Sequence, residues 1–204
     1  MRLPAIVALL LLAGAAPAAA HHPGDRLDEV MAEKEPAFEP TDSRRMPALS
    51  FAGSDGASLD MSGLAYRIVV LSFLPEGCGT PCADQQALLQ EVRDAVNVTP
   101  MRELVQFMTV SGDAAPDPDG EAGNWRSVMP SDETVEAAAA AFAALSARVT
   151  DAPMVHVIDR GGRHTGIFHG AGFGRINLVL YINGLTNAPP PEPGLLDRLF
   201  GAFR

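Results

Sequence analysis

Cys78 and Cys82 are the only two cysteines of this 204-residue chain, and they are the side chains best suited to chemistry. A disulfide stabilises a fold mainly by closing a long loop, so a bridge across three intervening residues is a poor structural staple. One helical turn places residues four apart within about 6 Å, a distance that a disulfide can span. When reduced, the two sulfurs are nucleophiles and ligands for a thiophilic metal. The spacing therefore favours a redox-active or metal-binding pair.

The sequence around the pair predicts a strand followed directly by a helix. Arg67–Leu74 is an apolar, partly β-branched run typical of a strand that is buried on both faces. Thr80 is suited to cap a helix and Pro81 to its first turn, where Cys82 would lie. Helix N-termini favour anions, so we expect a lowered pKa for the Cys82 thiol. Leu104–Ser111 reads as a second buried strand, which makes a right-handed strand–helix–strand crossover.

Further elements follow from hydrophobic spacing and turn residues. They are a short helix at Leu27–Glu35 capped by Asp25, a small hairpin within Leu49–Leu59, a helix at Asp132–Val149 capped by Ser131 or Asp132, a hairpin of Met154–Asp159 with Thr165–Phe168, and a last helix at Asn177–Leu185. These elements predict an α/β fold with a central mixed sheet flanked by helices.

Residues 1–20 have the pattern of a cleaved secretory signal: Arg2, an apolar stretch, and Ala18-Ala19-Ala20. An uncleaved membrane anchor is the competing interpretation. We expect an extended N-terminal segment at 21–46, the domain at 47–188, and a tail with a short amphipathic helix at 189–204. The protein would then be periplasmic, in an oxidising compartment where disulfides persist.

Composition limits the function classes. The net charge of −10 argues against a nucleic-acid partner, because phosphate binding needs a basic surface. A hydrophobic content of 47% argues against a chain that is disordered throughout.

The order of these features resembles the thioredoxin-like fold, and the Cys-x-x-x-Cys spacing resembles the Sco/SenC family of copper proteins that assist cytochrome oxidase assembly. The resemblance runs from about Leu49 to Phe173. It includes the segments Ala57–Met61, Val105–Asp113, Asn124–Arg126 and Val157–Arg163.

The resemblance implies copper held by Cys78, Cys82 and one histidine. The family histidine would fall at about Asp151, and we hypothesise that His169 replaces it or accepts a proton from Cys78. The two strands of a hairpin run in opposite directions, which places His169 at the end of the sheet that carries the cysteines. Ala152-Pro153-Met154 resembles the cis-proline loop that packs against the disulfide of thioredoxin-type oxidoreductases, so Pro153 is expected beside the pair.

The other candidate ligands have simpler explanations that stay open. His21 and His22 form either a Cu(II) hook at the mature N-terminus or an idle terminus. We expect His156 to be a half-buried sheet residue and His164 a solvated turn residue. Met154 is either a soft ligand or core filler.

Three functions are compatible with the sequence. The leading one is a periplasmic Sco/SenC-like protein that binds copper, or exchanges disulfides with a cytochrome oxidase subunit or another periplasmic thiol protein. The alternative is a metal-free thiol–disulfide oxidoreductase in which Pro153 shapes the substrate groove. The third is an interaction module with a vestigial disulfide.

Overall fold

The computed structural model describes residues 26–48, 50–53, 58–59, 64, 66–113 and 123–187. The expected signal at 1–20, the Asp25 cap, the histidines His21 and His22 and the tail at 189–204 lie outside these residues. Within the described part, no helix combines the length and apolar character needed to cross a membrane.

In the described ranges, eight strands form one mixed sheet in the order β1-β8-β7-β4-β5-β6-β2-β3. The strands are β1 (Phe38–Arg45), β2 (Phe51–Gly53), β3 (Ser58–Leu59), β4 (Ile68–Leu74), β5 (Val105–Ser111), β6 (Trp125–Pro130), β7 (Met154–Ile158) and β8 (Arg163–His169). Strand β4 lies at the centre, parallel to β5 and antiparallel to β7.

Helices cover both faces of the sheet. They are α1 (Leu27–Lys34), α2 (Thr80–Asn97), α3 (Val135–Ala143) and α4 (Arg175–Asn187), with a 3-10 helix at Pro100–Leu104. Residues of α1, α2 and α4 share one apolar cluster with one face of the sheet, and residues of α3 share a second cluster with the other face. The sheet is therefore the middle layer of three.

Strand β4 contributes side chains to the apolar clusters on both faces of the sheet. Ile68 and Val70 belong to the first cluster, whereas Val69, Leu71 and Phe73 belong to the second. Both faces of the strand are buried, as its continuous apolar sequence predicts. With α2 as the crossover to parallel β5 and the β7–β8 hairpin on the other side of β4, the arrangement is thioredoxin-like, and this confirms the predicted fold class.

The described part of the segment 21–46 belongs to the folded unit. Strand β1 pairs antiparallel with β8 and forms one edge of the sheet. Met31 and Phe38 are buried in the first apolar cluster. The three prolines of this segment predict an extended N-terminal segment outside the domain. The structure differs because proline is tolerated in an edge strand, and β1 occupies the edge while the ring of Phe38 is buried.

Two further elements differ from the sequence expectation. Helix α3 begins at Val135 and ends at Ala143, because its capping side chain is Thr134, whose hydroxyl accepts a hydrogen bond from the Ala137 amide at 3.2 Å. The predicted caps of this helix, Ser131 and Asp132, are therefore wrong. The second difference is strand β6, Trp125–Pro130, which the sequence analysis does not predict.

Gly166 of β8 lies against Phe38 and Tyr181 with no room for a Cβ atom. We expect Gly166→Ala to destabilise the protein by about 1–3 kcal/mol, since overpacking must displace two buried rings. Urea unfolding measures this change. Gly172→Ala is the matched control, because a Cβ there meets no atom within 4 Å. Equal stability of the two variants would contradict the close packing of β1 on β8.

Candidate functional site

The two cysteines form a disulfide whose halves differ in exposure. Cys78 and Cys82 are bonded, with their Cα atoms 5.7 Å apart. Cys82 is buried, with 3% of its surface exposed, whereas Cys78 is partly exposed. An incoming thiolate therefore has easier access to the sulfur of Cys78.

The turn that carries Cys78 depends on two glycines. Gly77 and Gly79 have φ values of +77° and +62°, in the left-handed region that favours glycine. The Cys78 amide donates to the Pro75 carbonyl at 3.2 Å, which closes a tight turn after β4. Gly79, rather than the predicted Thr80, is the N-cap of α2.

Cys82 lies in the first turn of α2, as the sequence predicts. The N-terminal amides and the helix dipole favour a thiolate at this position once the disulfide is reduced. Gln85, one turn further along α2, donates from Nε2 to the Gly170 carbonyl at 2.8 Å and so ties the helix to the residue that follows β8. The Glu76 amide, just before the glycines, donates to a Glu136 carboxylate oxygen of α3 at 3.0 Å.

A pocket of about 220 Å³ opens beside the disulfide. Its lining comes from the β4–α2 junction, from α3, and from the loop that leads into β7. The lining residues are Phe73, Pro75, Cys78, Cys82, Ala139, Ala140, Ala143, Thr150, Asp151, Ala152, Pro153, Met154 and His156. The wall is largely apolar, with one ionisable ring, His156, and one carboxylate, Asp151.

Pro153 lines the same pocket as both cysteines, but its peptide bond is trans. The cis geometry expected for the Ala152–Pro153 bond is therefore wrong. The backbone groups that flank the bond are satisfied as they stand: the Ala152 amide donates to Thr150 Oγ1 at 3.1 Å, and the Pro153 carbonyl accepts from the Gly170 amide at 2.7 Å. These hydrogen bonds are compatible with the intrinsic trans preference of about 0.5–1 kcal/mol.

His169 stands opposite Met154 in the β7–β8 register, at the end of the sheet predicted for it. Its side chain does not line the pocket. Its Nε2 lies 2.7 Å from a Glu39 carboxylate oxygen, and both side chains are more than 90% buried. Burial alone would raise the pKa of Glu39, but hydrogen bonds from Ser146, the Ala147 amide and His169 lower it below its ordinary value. A role for His169 at Cys78 would require it to leave this ionised carboxylate.

The structure does not assemble the copper donor set that the resemblance implies. Asp151 occupies the expected histidine position on the pocket wall, and His169 is held by Glu39. Among the described residues, no group of three or more histidine, cysteine, aspartate or glutamate side chains is placed to hold a metal ion. The residues present do not fit a centre of two thiolates and one imidazole.

Two buried histidines lie next to the disulfide pocket, contrary to the sequence expectation. His156 was expected to be half-buried and His164 solvated, yet their exposed fractions are 1% and 0%. The Nδ1 atom of His156 and the Nε2 atom of His164 are 2.9 Å apart, and His164 Nδ1 is 2.8 Å from Thr41 Oγ1. His164 is buried because β1 covers the outer edge of β8, and β1 was not predicted.

Burial keeps both imidazoles neutral. It lowers the pKa of His156 well below the ordinary value, and neighbouring His164 and His169 lower it further. Burial, and to a smaller extent the positive charge of Arg44, lowers the pKa of His164 to about 4. The negative charge of Glu39 partly opposes this shift. The period-two pattern of β7 could have revealed His156, since it shares a strand face with Met154, which was expected near the cysteines.

No family model and no curated protein matches this sequence. Solved structures do share its fold. One is BsSco, described as a member of the Sco family of cytochrome c oxidase assembly proteins, with a TM-score of 0.57, 13% identity, and coverage of 74% of this chain and 98% of that chain.

Two other structures give similar values. Yeast Sco1 with copper bound has a TM-score of 0.55 and 10% identity, covering 79% of this chain and 96% of that one. A SCO1/SenC family lipoprotein from Bacillus anthracis has a TM-score of 0.54 and 17% identity, covering 73% and 98%. Identities this low establish a common fold, while the chemistry has to be argued from the site.

The buried imidazoles make stability depend on pH. The pKa of His164 is about 4 in the folded protein, against 6.5 for a histidine in the unfolded chain, so the unfolded chain binds more protons between these two pH values. Stability is therefore complete above about pH 6.5 and falls as the pH decreases towards 4, by up to about 3 kcal/mol from His164 alone.

Urea unfolding between about pH 7.5 and pH 5 checks this prediction in the range where carboxylates contribute little. The lowered pKa of Glu39 adds its own loss only at lower pH. A free energy of unfolding that stays constant over this range would contradict the neutral, buried histidine pair.

Proposed function

We propose that this protein is an extracytoplasmic thiol–disulfide oxidoreductase that exchanges electrons through Cys78 and Cys82. The observation that carries the proposal is the disulfide itself, which has one accessible and one buried sulfur and opens onto a largely apolar pocket. Disulfide exchange needs one accessible sulfur that a partner thiolate can attack. It also needs a second sulfur that is released as a thiolate and later re-forms the disulfide.

The reaction balances as a two-electron transfer. A partner thiolate attacks Cys78 Sγ, which forms a mixed disulfide, breaks the Cys78–Cys82 bond and releases Cys82 as a thiolate in the first turn of α2. A second partner thiolate then attacks the partner sulfur of the mixed disulfide and releases Cys78. The partner is oxidised to a disulfide, and both cysteines take up protons as thiols. The reverse sequence reduces a partner disulfide.

The pocket supplies a surface for the partner segment that carries the reacting cysteine. Ala139, Ala140 and Ala143 of α3 line it together with the segment Ala152–Met154. Small apolar residues leave room for side chains next to the partner sulfur, and Pro153 shapes this groove. We expect binding here to bury apolar surface around the reacting sulfurs, with Asp151 as the one charged group of the lining.

The proposed compartment and partner rest on separate arguments. The signal pattern at 1–20 and a closed disulfide both suit an oxidising compartment such as the periplasm. The shared fold with BsSco, described as a member of a family of cytochrome c oxidase assembly proteins, supports a cysteine pair on a cytochrome oxidase subunit as the partner. Another periplasmic thiol protein is the alternative partner.

Replacement of the buried cysteine should trap the partner. In Cys82→Ser, a partner thiol attached to Cys78 cannot be displaced from within, so a mixed disulfide accumulates and is seen on non-reducing gels and by mass spectrometry. In Cys78→Ser, the remaining sulfur is buried, and trapping should be much weaker. Equal trapping by the two variants, or none by either, would contradict the proposed division between the two sulfurs.

Copper binding is a second candidate function. The shared fold with copper-bound yeast Sco1 is the observation that favours it, whereas the part of the chain that the structure describes offers no third histidine, cysteine, aspartate or glutamate ligand beside the pair. The protein's own cargo would then be Cu(I), for which thiolates are preferred ligands.

A Cu(I) competition titration of reduced protein separates the two possibilities. Because Glu39 holds His169 away from the pair, we expect His169→Ala to leave the Cu(I) affinity unchanged. Cys78→Ser is the control that removes one sulfur. A marked loss of affinity in His169→Ala would contradict this expectation and support a three-ligand copper centre.

A further inference from the structure

The buried pair His156–His164 has a hydrogen-bond pattern that determines where its protons lie. The Thr41 hydroxyl donates to the His164 carbonyl at 2.8 Å, which uses its only proton. Thr41 Oγ1 must therefore accept from His164 Nδ1, 2.8 Å away. A neutral His164 then carries a lone pair on Nε2, which accepts from His156 Nδ1 at 2.9 Å.

This chain of hydrogen bonds leaves one imidazole nitrogen without a proton, on a residue that lines the disulfide pocket. With its proton on Nδ1, a neutral His156 carries the lone pair on Nε2. His156 lines the pocket together with Cys78 and Cys82. Its ring also contacts Phe73 edge-on, with 5.9 Å between ring centroids, and the Phe73 carbonyl oxygen lies 3.8 Å from Cys82 Sγ.

We propose that His156 is the proton acceptor for the Cys82 thiol during disulfide exchange, and that His164 and Thr41 are positioning residues that hold it in the accepting tautomer. The inference rests on the proposed function. It assigns a third residue to the reaction beside the two cysteines, and this histidine is not His169.

Cys82 needs an acceptor because of its surroundings. Once reduced, its buried thiol faces the Phe73 carbonyl, which can only accept a hydrogen bond and so favours the protonated thiol. Burial acts in the same direction and opposes the effect of the α2 N-terminus. A nearby base reached directly or through one water removes the proton as the sulfur attacks.

The step balances in the direction that reduces a client disulfide. Cys78 first holds the client in a mixed disulfide. The Cys82 thiol gives its proton to His156 Nε2, and its sulfur attacks Cys78 Sγ. The Cys78–Cys82 bond forms, the Cys78–client bond breaks, and the client leaves as a thiolate that takes up a proton. The client gains two electrons and the protein pair loses two.

The charges around His156 are compatible with a neutral imidazole at rest. The groups that face it are His164 and His169 on β8 and Asp151 on the pocket wall, while Glu39 and Arg44 of β1 act on His164. Burial and the two neighbouring histidines lower the pKa of His156, so the accepting lone pair is present at neutral pH. A thiolate formed at Cys82 favours the protonated ring, because the two residues line the same pocket and opposite charges attract.

Single-turnover reaction of the reduced protein with the aromatic disulfide DTNB separates the two sulfurs. Attack by Cys78 releases the first thionitrobenzoate, and attack by Cys82 on the mixed disulfide releases the second. We expect His156→Gln to slow the second release by about 100-fold or more, with the first unchanged, and to make the second rate rise with pH up to the Cys82 pKa. His169→Gln is the matched control and should change neither phase.

Thr41→Val gives an independent test that keeps both rings. Without the Thr41 oxygen, His164 loses the acceptor that keeps its proton on Nδ1. We expect the proton of His156 to move to Nε2, visible as a change of tautomer in nitrogen-15 NMR spectra, and the second phase to slow again. In the wild-type oxidised protein the same spectra should show His156 protonated on Nδ1.

A wild-type His156 protonated on Nε2, or a second phase that Thr41→Val and His156→Gln leave unchanged, would overturn the assignment. If His156→Gln does not fold, the wild-type NMR spectra and Thr41→Val decide alone. DTNB is an artificial client, so these outcomes are independent of partner trapping by Cys82→Ser. Trapping without an effect of His156 would leave the proposed function standing and refute the base.

Discussion

One covalent bond between an accessible and a buried sulfur is the constraint on which the site depends. The bond requires β4 to end and α2 to begin within a few residues, which Gly77 and Gly79 allow through left-handed backbone conformations. Parallel pairing of β4 with β5 fixes the strand, and the Gln85–Gly170 hydrogen bond ties the N-terminal part of the helix to the residue after β8. Small displacements of either element would expose Cys82 or bury Cys78, and the distinction between the sulfurs would be lost.

The buried histidines cost stability that apolar residues would not. Transfer of a polar ring into a protein interior is unfavourable unless it is hydrogen-bonded, and the chain Thr41–His164–His156 satisfies three of the four ring nitrogens. The remaining one, Nε2 of His156, belongs to the ring that lines the disulfide pocket. In this network, the ring nitrogen without a hydrogen-bond partner therefore belongs to the residue beside the reactive sulfurs. This arrangement is expected if Nε2 of His156 takes part in the reaction there.

Local sequence patterns predicted the centre of the fold and the β2–β3 hairpin at one edge, but not strand β1 at the other edge. The apolar run of β4 and the proline at the start of α2 were sufficient to place Cys78 and Cys82, because both signals act over a few residues. Strand β1 was missed, since its polar residues and Pro40 suit an edge strand and give no apolar run. That omission led directly to the error at His164, whose burial depends on a partner more than a hundred residues away.

The contrast between His169 and His156 shows why fold similarity does not decide the chemistry. His169 is close to the cysteines in the backbone register, yet its Nε2 meets the ionised Glu39, and moving it would leave a buried carboxylate without one of its partners. His156 is farther along its strand, yet the side-chain alternation of β7 brings its ring to the pocket. Structures that share this fold at 10–17% identity do not determine which histidine faces the sulfurs. Side-chain contacts do: Nε2 of His169 is bonded to Glu39, whereas the ring of His156 lines the pocket that holds both sulfurs.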